Sequence, residues 1–280
     1  AWQVDLTGYS GTAAVEVRLD AVLRSVDPEM LGLYYDLLVP WEAAQLLDAD
    51  DRRRLVGLEI LNSAVNLLDL RQPYSAAMKA SVAEARTFLK ERYYGEFCLK
   101  EPEVIADCVG HTHIDVAWQW DIEQSRHKAV RSFSTVLQLM DRYPEYKFMS
   151  SQPALYEFVK EDAPEVYERI KARIREGRWQ PEGGMWVEAD TNLAGGEALV
   201  RQFLYGKRFF REEFGLDNRI LWLPDVFGYS GALPQIMKKS GIDFFMTTKL
   251  SWNEYNRFPY DTFTWRGIDG SEVLTHFSPA

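Results

Sequence analysis

From Glu103 onward, short apolar runs alternate with stretches whose apolar residues recur at helical spacing. IADCVG (105–110), YKFMSS (146–151), RWQPEGGMWV (178–187), RILWL (219–223) and DFFMTT (243–248) each read as a buried strand. Between the first two, Val130, Phe133, Leu137 and Met140 form a helical stripe. Leu155, Phe158, Val159, Val166, Tyr167, Ile170 and Ile174 predict one further helix ended by Gly177. Residues 196–214 predict another before Gly215, and a shorter one runs through Pro234 to Lys239 before Gly241. Repeated strand–helix units imply a parallel α/β sheet or barrel. The last segment, 261–277, reads as a strand or a hairpin turned at Asp269-Gly270.

The chain before this pattern is different. Asp27-Pro28-Glu29 is a helix start, with Asp as N-cap and Pro at the first position. Leu31, Tyr34, Tyr35, Leu38 and Val39 follow at helical spacing. A second helix is predicted from Asp51 to Leu70 and a third from about Ser75 to Tyr93. Residues 13–19, AAVEVRL, alternate apolar and polar as a half-buried strand does, and one strand makes no domain. The expected organisation is the end of an upstream β-rich domain (1–20), a helical connector (21–102) and an α/β domain from 103 to 280 that is incomplete at its C-terminal side.

Charge narrows the partners. The chain carries 42 acidic and 32 basic residues, a net charge of −10. That balance argues against nucleic acid or an anionic membrane as the main partner. No stretch approaches the roughly 18 consecutive apolar residues of a membrane span, and the start lacks the pattern of a signal peptide. Cys98 and Cys108 are too few for a disulfide framework. A cytoplasmic location is the expectation.

In parallel α/β folds the site lies at the carboxyl ends of the strands. Here four such ends are loaded: GHTHIDVAWQW, GGMWVEADTN, LPDVFGYS and TKLSWNEY. His111, His113 and Asp115 alternate, so on an extended chain they point one way and outline a first-row metal site. The plainer alternative is two imidazoles hydrogen-bonded in a polar loop. Asp225 is either a catalytic carboxylate or the N-cap of the following helix. Trp118, Trp186, Phe227 and Trp252 stand at strand ends. Singly each reads as packing; together with carboxylates they suit the apolar ring faces and hydroxyls of a sugar.

In combination GHTHIDVAWQW, EGGMWVEADTN, WLPDVFGYS and DTFTWRGIDGSEVLTHF resemble glycoside hydrolase family 38, the class II α-mannosidases. The likeness is to the cytosolic, vacuolar and bacterial branch and covers about 103 to the end. It implies the N-terminal part of a seven-stranded β/α barrel and a retaining, metal-dependent exo-glycosidase acting on mannose-containing oligosaccharides. By the resemblance, His113, Asp115 and Asp225 would bind Zn²⁺ or another divalent ion such as Co²⁺, and Asp225 would also be the nucleophile. His111 becomes a residue near the site and not a ligand. Trp118 would stack on the mannose ring, Phe227 would line the same pocket, and Lys249 stands where the family places a basic residue near the nucleophile; Trp186, by its strand-end position, is a further sugar-binding candidate. The fourth ligand and the acid/base carboxylate are expected downstream of residue 280, so these residues alone are expected to be inactive. Family members often assemble, so a homo-oligomer is a further expectation. Two other readings stay open: a barrel amidohydrolase using both His111 and His113 on the metal, and a non-catalytic sugar-binding module.

Overall fold

The computed structural model describes residues 25–98, 105–256 and 258–278. The strand read at 13–19 therefore lies outside the described residues. Two units separate at Ile105 and Ala106.

The first unit is helical. Helices α1 (Pro28–Gln45), α2 (Arg52–Val65) and α3 (Ala76–Leu89) are followed by wider π-type turns over Lys90–Phe97. Each α-helix starts on a side-chain cap: Asp27 accepts from the Glu29 amide, Asp51 from Arg53 and Ser75 from Met78. Such caps satisfy amide donors that have no intrahelical partner. Leu33, Leu61, Ala64, Val82, Ala85 and Leu89 close the core between the three helices. Arg86 of α3 ties back to α1, donating to Asp36 at 2.9 Å and Glu29 at 2.6 Å. Helix α2 ends at Val65, short of the predicted Leu70, because the chain turns at Asn66–Leu68.

The second unit contains β1 (Gly110–His111), β2 (Phe148–Ser150), β3 (Trp179–Pro181), β4 (Ile220–Trp222), β5 (Phe244–Thr247), β6 (Thr262–Arg266) and β7 (Glu272–Phe277). Helices α4 (Ile122–Arg142), α5 (Pro153–Asp162), α6 (Pro164–Arg175), α7 (Gly196–Phe214) and α8 (Leu233–Lys239) connect the first five. One sheet has the order β1-β2-β3 and the other β4-β5-β7-β6. A parallel bridge between Gly183 and Leu221 carries the pairing from one to the other. Every pairing is parallel except β6 with β7.

The α/β expectation is met by parallel sheets, and the hairpin read at Asp269-Gly270 is present: its turn at Gly270 (φ +87°) sets β6 antiparallel to β7 at the sheet's outer edge. One expectation needs correction. The single helix expected from Leu155 to Ile174 is two, α5 and α6. Pro164 lacks an amide donor and pushes Ala163 out of the helical region, to φ −147° and ψ 68°.

Packing explains why the strand ends are well positioned. Phe133, Phe148, Tyr156, Trp179 and Phe210 form one core, with the Trp179 indole donating to the Tyr156 hydroxyl at 2.9 Å and that hydroxyl donating to Ser150 O at 2.9 Å. Leu221, Leu223, Leu233, Met237 and Phe245 form the second. Helix α7 crosses the loop after β3 so closely that a Cβ at Gly206 would sit 2.5 Å from Gly184 O. From α7, Gln202 accepts from the Trp186 amide at its backbone oxygen and from the Val187 amide at its side chain, at 3.0 and 2.9 Å. That loop is thereby a fixed platform rather than a free connection.

Candidate metal centre

Two strand ends converge. His113 and Asp115 leave β1 on either side of Ile114, which is buried. Asp225 follows β4. One ligand atom each from His113, Asp115 and Asp225 lies within 4.8 Å of the others. The His113 Nε2 is 3.2 Å from Asp115 Oδ1 and 3.6 Å from Asp225 Oδ2.

Asp225 is not a helix cap. Helix α8 starts eight residues later in sequence, at Leu233, behind Ala232. The turn carrying Asp225 is instead pinned to β5, since Pro224 O accepts from the amide and hydroxyl of Thr248 at 3.3 and 2.8 Å. Lys249, buried in the single 3₁₀ turn after β5, donates to Asp225 Oδ1 at 2.7 Å. Its Nζ also lies 4.3 Å from the Phe227 ring centre and 3.7 Å from that of Trp252. Those ring faces stabilise the ammonium while the carboxylate neutralises it.

His111 takes no part in the cluster. Its Nδ1 donates to Met149 O at 3.1 Å and its Nε2 accepts from the Trp222 indole at 3.3 Å. Both nitrogens are committed to protein partners, and burial holds the imidazole below its ordinary pKa, in the neutral form. The alternation of His111, His113 and Asp115 thus predicts two of three cluster members; pairing with β2 draws the first inward.

Trp118, Phe227 and Trp252 are 67%, 77% and 75% exposed, ring faces available to a ligand. Trp186 is not brought to them: it packs on Phe209 at 5.8 Å and lines a cleft between α5 and α7 with Glu157, Lys160 and Tyr205. His127 lies on α4, and His276 on β7 bonds to Thr262.

One residue escaped the sequence reading. Glu188, on the loop after β3, has a side chain only 5% exposed, and its Oε2 is 2.9 Å from His113 Nδ1. Its only sequence signal was its place in GGMWVEADTN, where Trp186 drew attention instead. Burial opposes a charged His113, but the carboxylates of Glu188 and Asp115 outweigh it and raise the imidazole to about 9.

The donor set fits a metal. One imidazole nitrogen and two carboxylates suit a first-row divalent ion. Three carboxylates, those of Asp115, Asp225 and Glu188, lie around His113, and the Lys249 ammonium pairs with Asp225 alone, a field that attracts a cation. The profile of the N-terminal domain of glycosyl hydrolases family 38 matches residues 103–280.

The chain belongs to glycosyl hydrolase family 38. Among its family relatives, α-mannosidase G of Dictyostelium discoideum is 42% identical over 93% of this chain and 23% of its own length. The α-mannosidase of Saccharomyces cerevisiae is 41% identical over 90% of this chain and 24% of its own. Human α-mannosidase 2C1 is 45% identical, again over 90% of this chain and 23% of its own. The chain therefore spans about a quarter of the length of these curated relatives. An α-mannosidase structure from Enterococcus faecalis V583 superposes with a TM-score of 0.51 at 22% identity, covering 60% of this chain and 19% of that one, which supports the fold. No helix among the described residues is long and apolar enough to cross a membrane.

Proposed function

We propose that this family 38 chain carries the metal-binding and nucleophilic half of a retaining exo-α-mannosidase that removes terminal α-linked mannose from oligosaccharides, with the cytoplasm as its place of action. The observation that carries the reading is the convergence of His113, Asp115 and Asp225 within 4.8 Å, beside exposed aromatic faces. Half-buried carboxylates beside exposed aromatic rings suit a sugar ring better than an amide. The amidohydrolase reading needs His111 as a ligand, and both of its nitrogens are engaged elsewhere.

In this mechanism Asp225 attacks the anomeric carbon and forms a glycosyl ester while the glycosidic bond breaks. The departing oxygen takes its proton from a second carboxyl, which the family resemblance places downstream of residue 280. Water then releases mannose and returns the Asp225 carboxylate. Lys249 holds Oδ1, which fixes the carboxylate's plane and leaves Oδ2 toward His113. Trp118 and Phe227 offer ring faces to the sugar. His113, Asp115 and Asp225 would hold Zn²⁺ or a similar ion, which when bound supplies Lewis-acid anchoring of sugar hydroxyls and orients the ring.

A fluorinated mannosyl fluoride that traps the ester tests this on the complete polypeptide. The label is expected on Asp225, and Asp225→Asn is expected to abolish turnover of an aryl α-mannoside. A label on another residue, or near-normal turnover in the variant, refutes the assignment.

A further inference from the structure

Behind the cluster lies a buried arrangement that the proposed chemistry does not use. The Glu188 side chain is only 5% exposed, yet its Oε1 accepts from the Ser151 hydroxyl at 2.8 Å and its Oε2 faces His113 Nδ1 at 2.9 Å. Ser151 and Gln152 follow directly after β2 and are themselves buried. The Gln152 side chain accepts from the Glu188 amide at 3.1 Å and donates to Ile114 O at 2.8 Å. Gln152 adopts φ +61°, a conformation that costs a non-glycine residue free energy and persists where surroundings enforce it. Three strand ends are thus cross-linked: β1 through Ile114 and His113, β2 through Ser151 and Gln152, and the loop after β3 through Glu188.

A carboxylate buried this deeply is costly unless its charge is used. Neither Asp115 nor Asp225 approaches Nδ1; both face Nε2. Glu188 therefore occupies the one side of the imidazole that the cluster leaves open. An imidazole serves as a ligand through a nitrogen that carries no proton, and its partner nitrogen sets which one that is. The Glu188 Oε2 and the His113 Nδ1 are well placed by distance but imperfectly aligned as a hydrogen bond. A small rotation of the ring as Nε2 takes a ligand would align them, the usual tightening of a site on occupation.

We infer that Glu188, braced by Ser151 and Gln152, is a positioning residue: it holds the proton of His113 on Nδ1 and so presents Nε2 to the metal. The inference rests on the metal-binding reading of this site. Among the described residues Glu188 makes no hydrogen bond or ion pair with Asp225; its partners are Ser151, Gln152 and His113.

The test measures zinc affinity of the complete polypeptide by competition with a chromogenic chelator, together with zinc-free melting. Glu188→Met fills the same volume without an acceptor and is expected to weaken zinc binding roughly 10- to 100-fold. Glu188→Gln keeps an acceptor but loses the charge, and is expected to fall between wild type and the Met variant. Ser151→Ala leaves the carboxylate in place and is expected to weaken binding by a few fold only. ¹⁵N-histidine spectra of the zinc-loaded wild type are expected to show the His113 proton on Nδ1. Unchanged zinc affinity in both Glu188 variants, or a proton on Nε2, overturns the role of Glu188 while leaving the metal reading intact. A wild type that takes up no zinc overturns both. Zinc-free melting that falls while zinc affinity holds assigns Glu188 to the fold alone and likewise overturns the inference.

Discussion

Replacing Lys249 with Met separates the two roles proposed for Asp225, metal ligand and nucleophile. The Met side chain fills the slot between Phe227 and Trp252 but removes the ammonium that sits 2.7 Å from Asp225 Oδ1. At an effective dielectric near 20, bare attraction at that distance is about 6 kcal/mol. The net loss is smaller, because the Asp225 side chain is 40% exposed and water takes over part of the interaction. A hydrogen bond to a charged group contributes roughly 1.5–3 kcal/mol net. If that alignment serves the attack, kcat/KM for an aryl α-mannoside falls by roughly 10- to 150-fold. Zinc affinity moves the other way or not at all, since the variant removes a positive charge from beside two carboxylate ligands. The assay is therefore paired: turnover with saturating zinc, and zinc affinity by competition. Full kcat/KM with zinc bound would refute the claim that Lys249 orients Asp225. Loss of zinc in step with turnover would refute it equally, by tracing the effect to metal retention.

Other expectations follow from the same geometry. His113 is raised above its ordinary value to about 9, so its contribution to the stability of the metal-free protein is complete below about 6.5 and is lost as pH rises through 9. Melting of the metal-free protein should decline across that window, and His113→Asn should flatten the decline. Gly206→Ala places a Cβ 2.5 Å from Gly184 O, so thermal melting should fall by an amount equivalent to about 1–3 kcal/mol as α7 is pushed off the loop that carries Glu188. Trp179→Ala empties a fully buried site where the indole meets Phe133, Phe148 and Tyr156, and denaturant unfolding should report a loss of roughly 3–5 kcal/mol.

What could be read from the chain divides along a physical line. Strands β2, β4 and β5 and helices α4, α7 and α8 announce themselves because their apolar periodicity and stop signals are local, as at Gly215 with φ +71° and Gly241 with φ +75°. The break at Ala163 was also local, and Pro164 was its overlooked signal. Sheet closure is different. Whether parallel strands curl into a barrel depends on pairing between strands distant in sequence; Asp269-Gly270 signals the antiparallel hairpin of β6 and β7, but not which of the two takes the outer edge. The site divides in the same way. His113, Asp115 and Asp225 were legible because they follow apolar strands within a few residues, at the edge where parallel folds assemble sites. Glu188 was not, because its meaning lies in a 2.9 Å approach across 75 residues of chain, made possible by Gln202 and Gln152 fixing its loop. His111, an equal candidate by alternation alone, is held out of the cluster by Met149 and Trp222, residues from two other strands. The donors proposed to hold a metal stand where single strands end and can be guessed from one segment. The residues that orient those donors come from neighbouring strands, and only the assembled sheet reveals them.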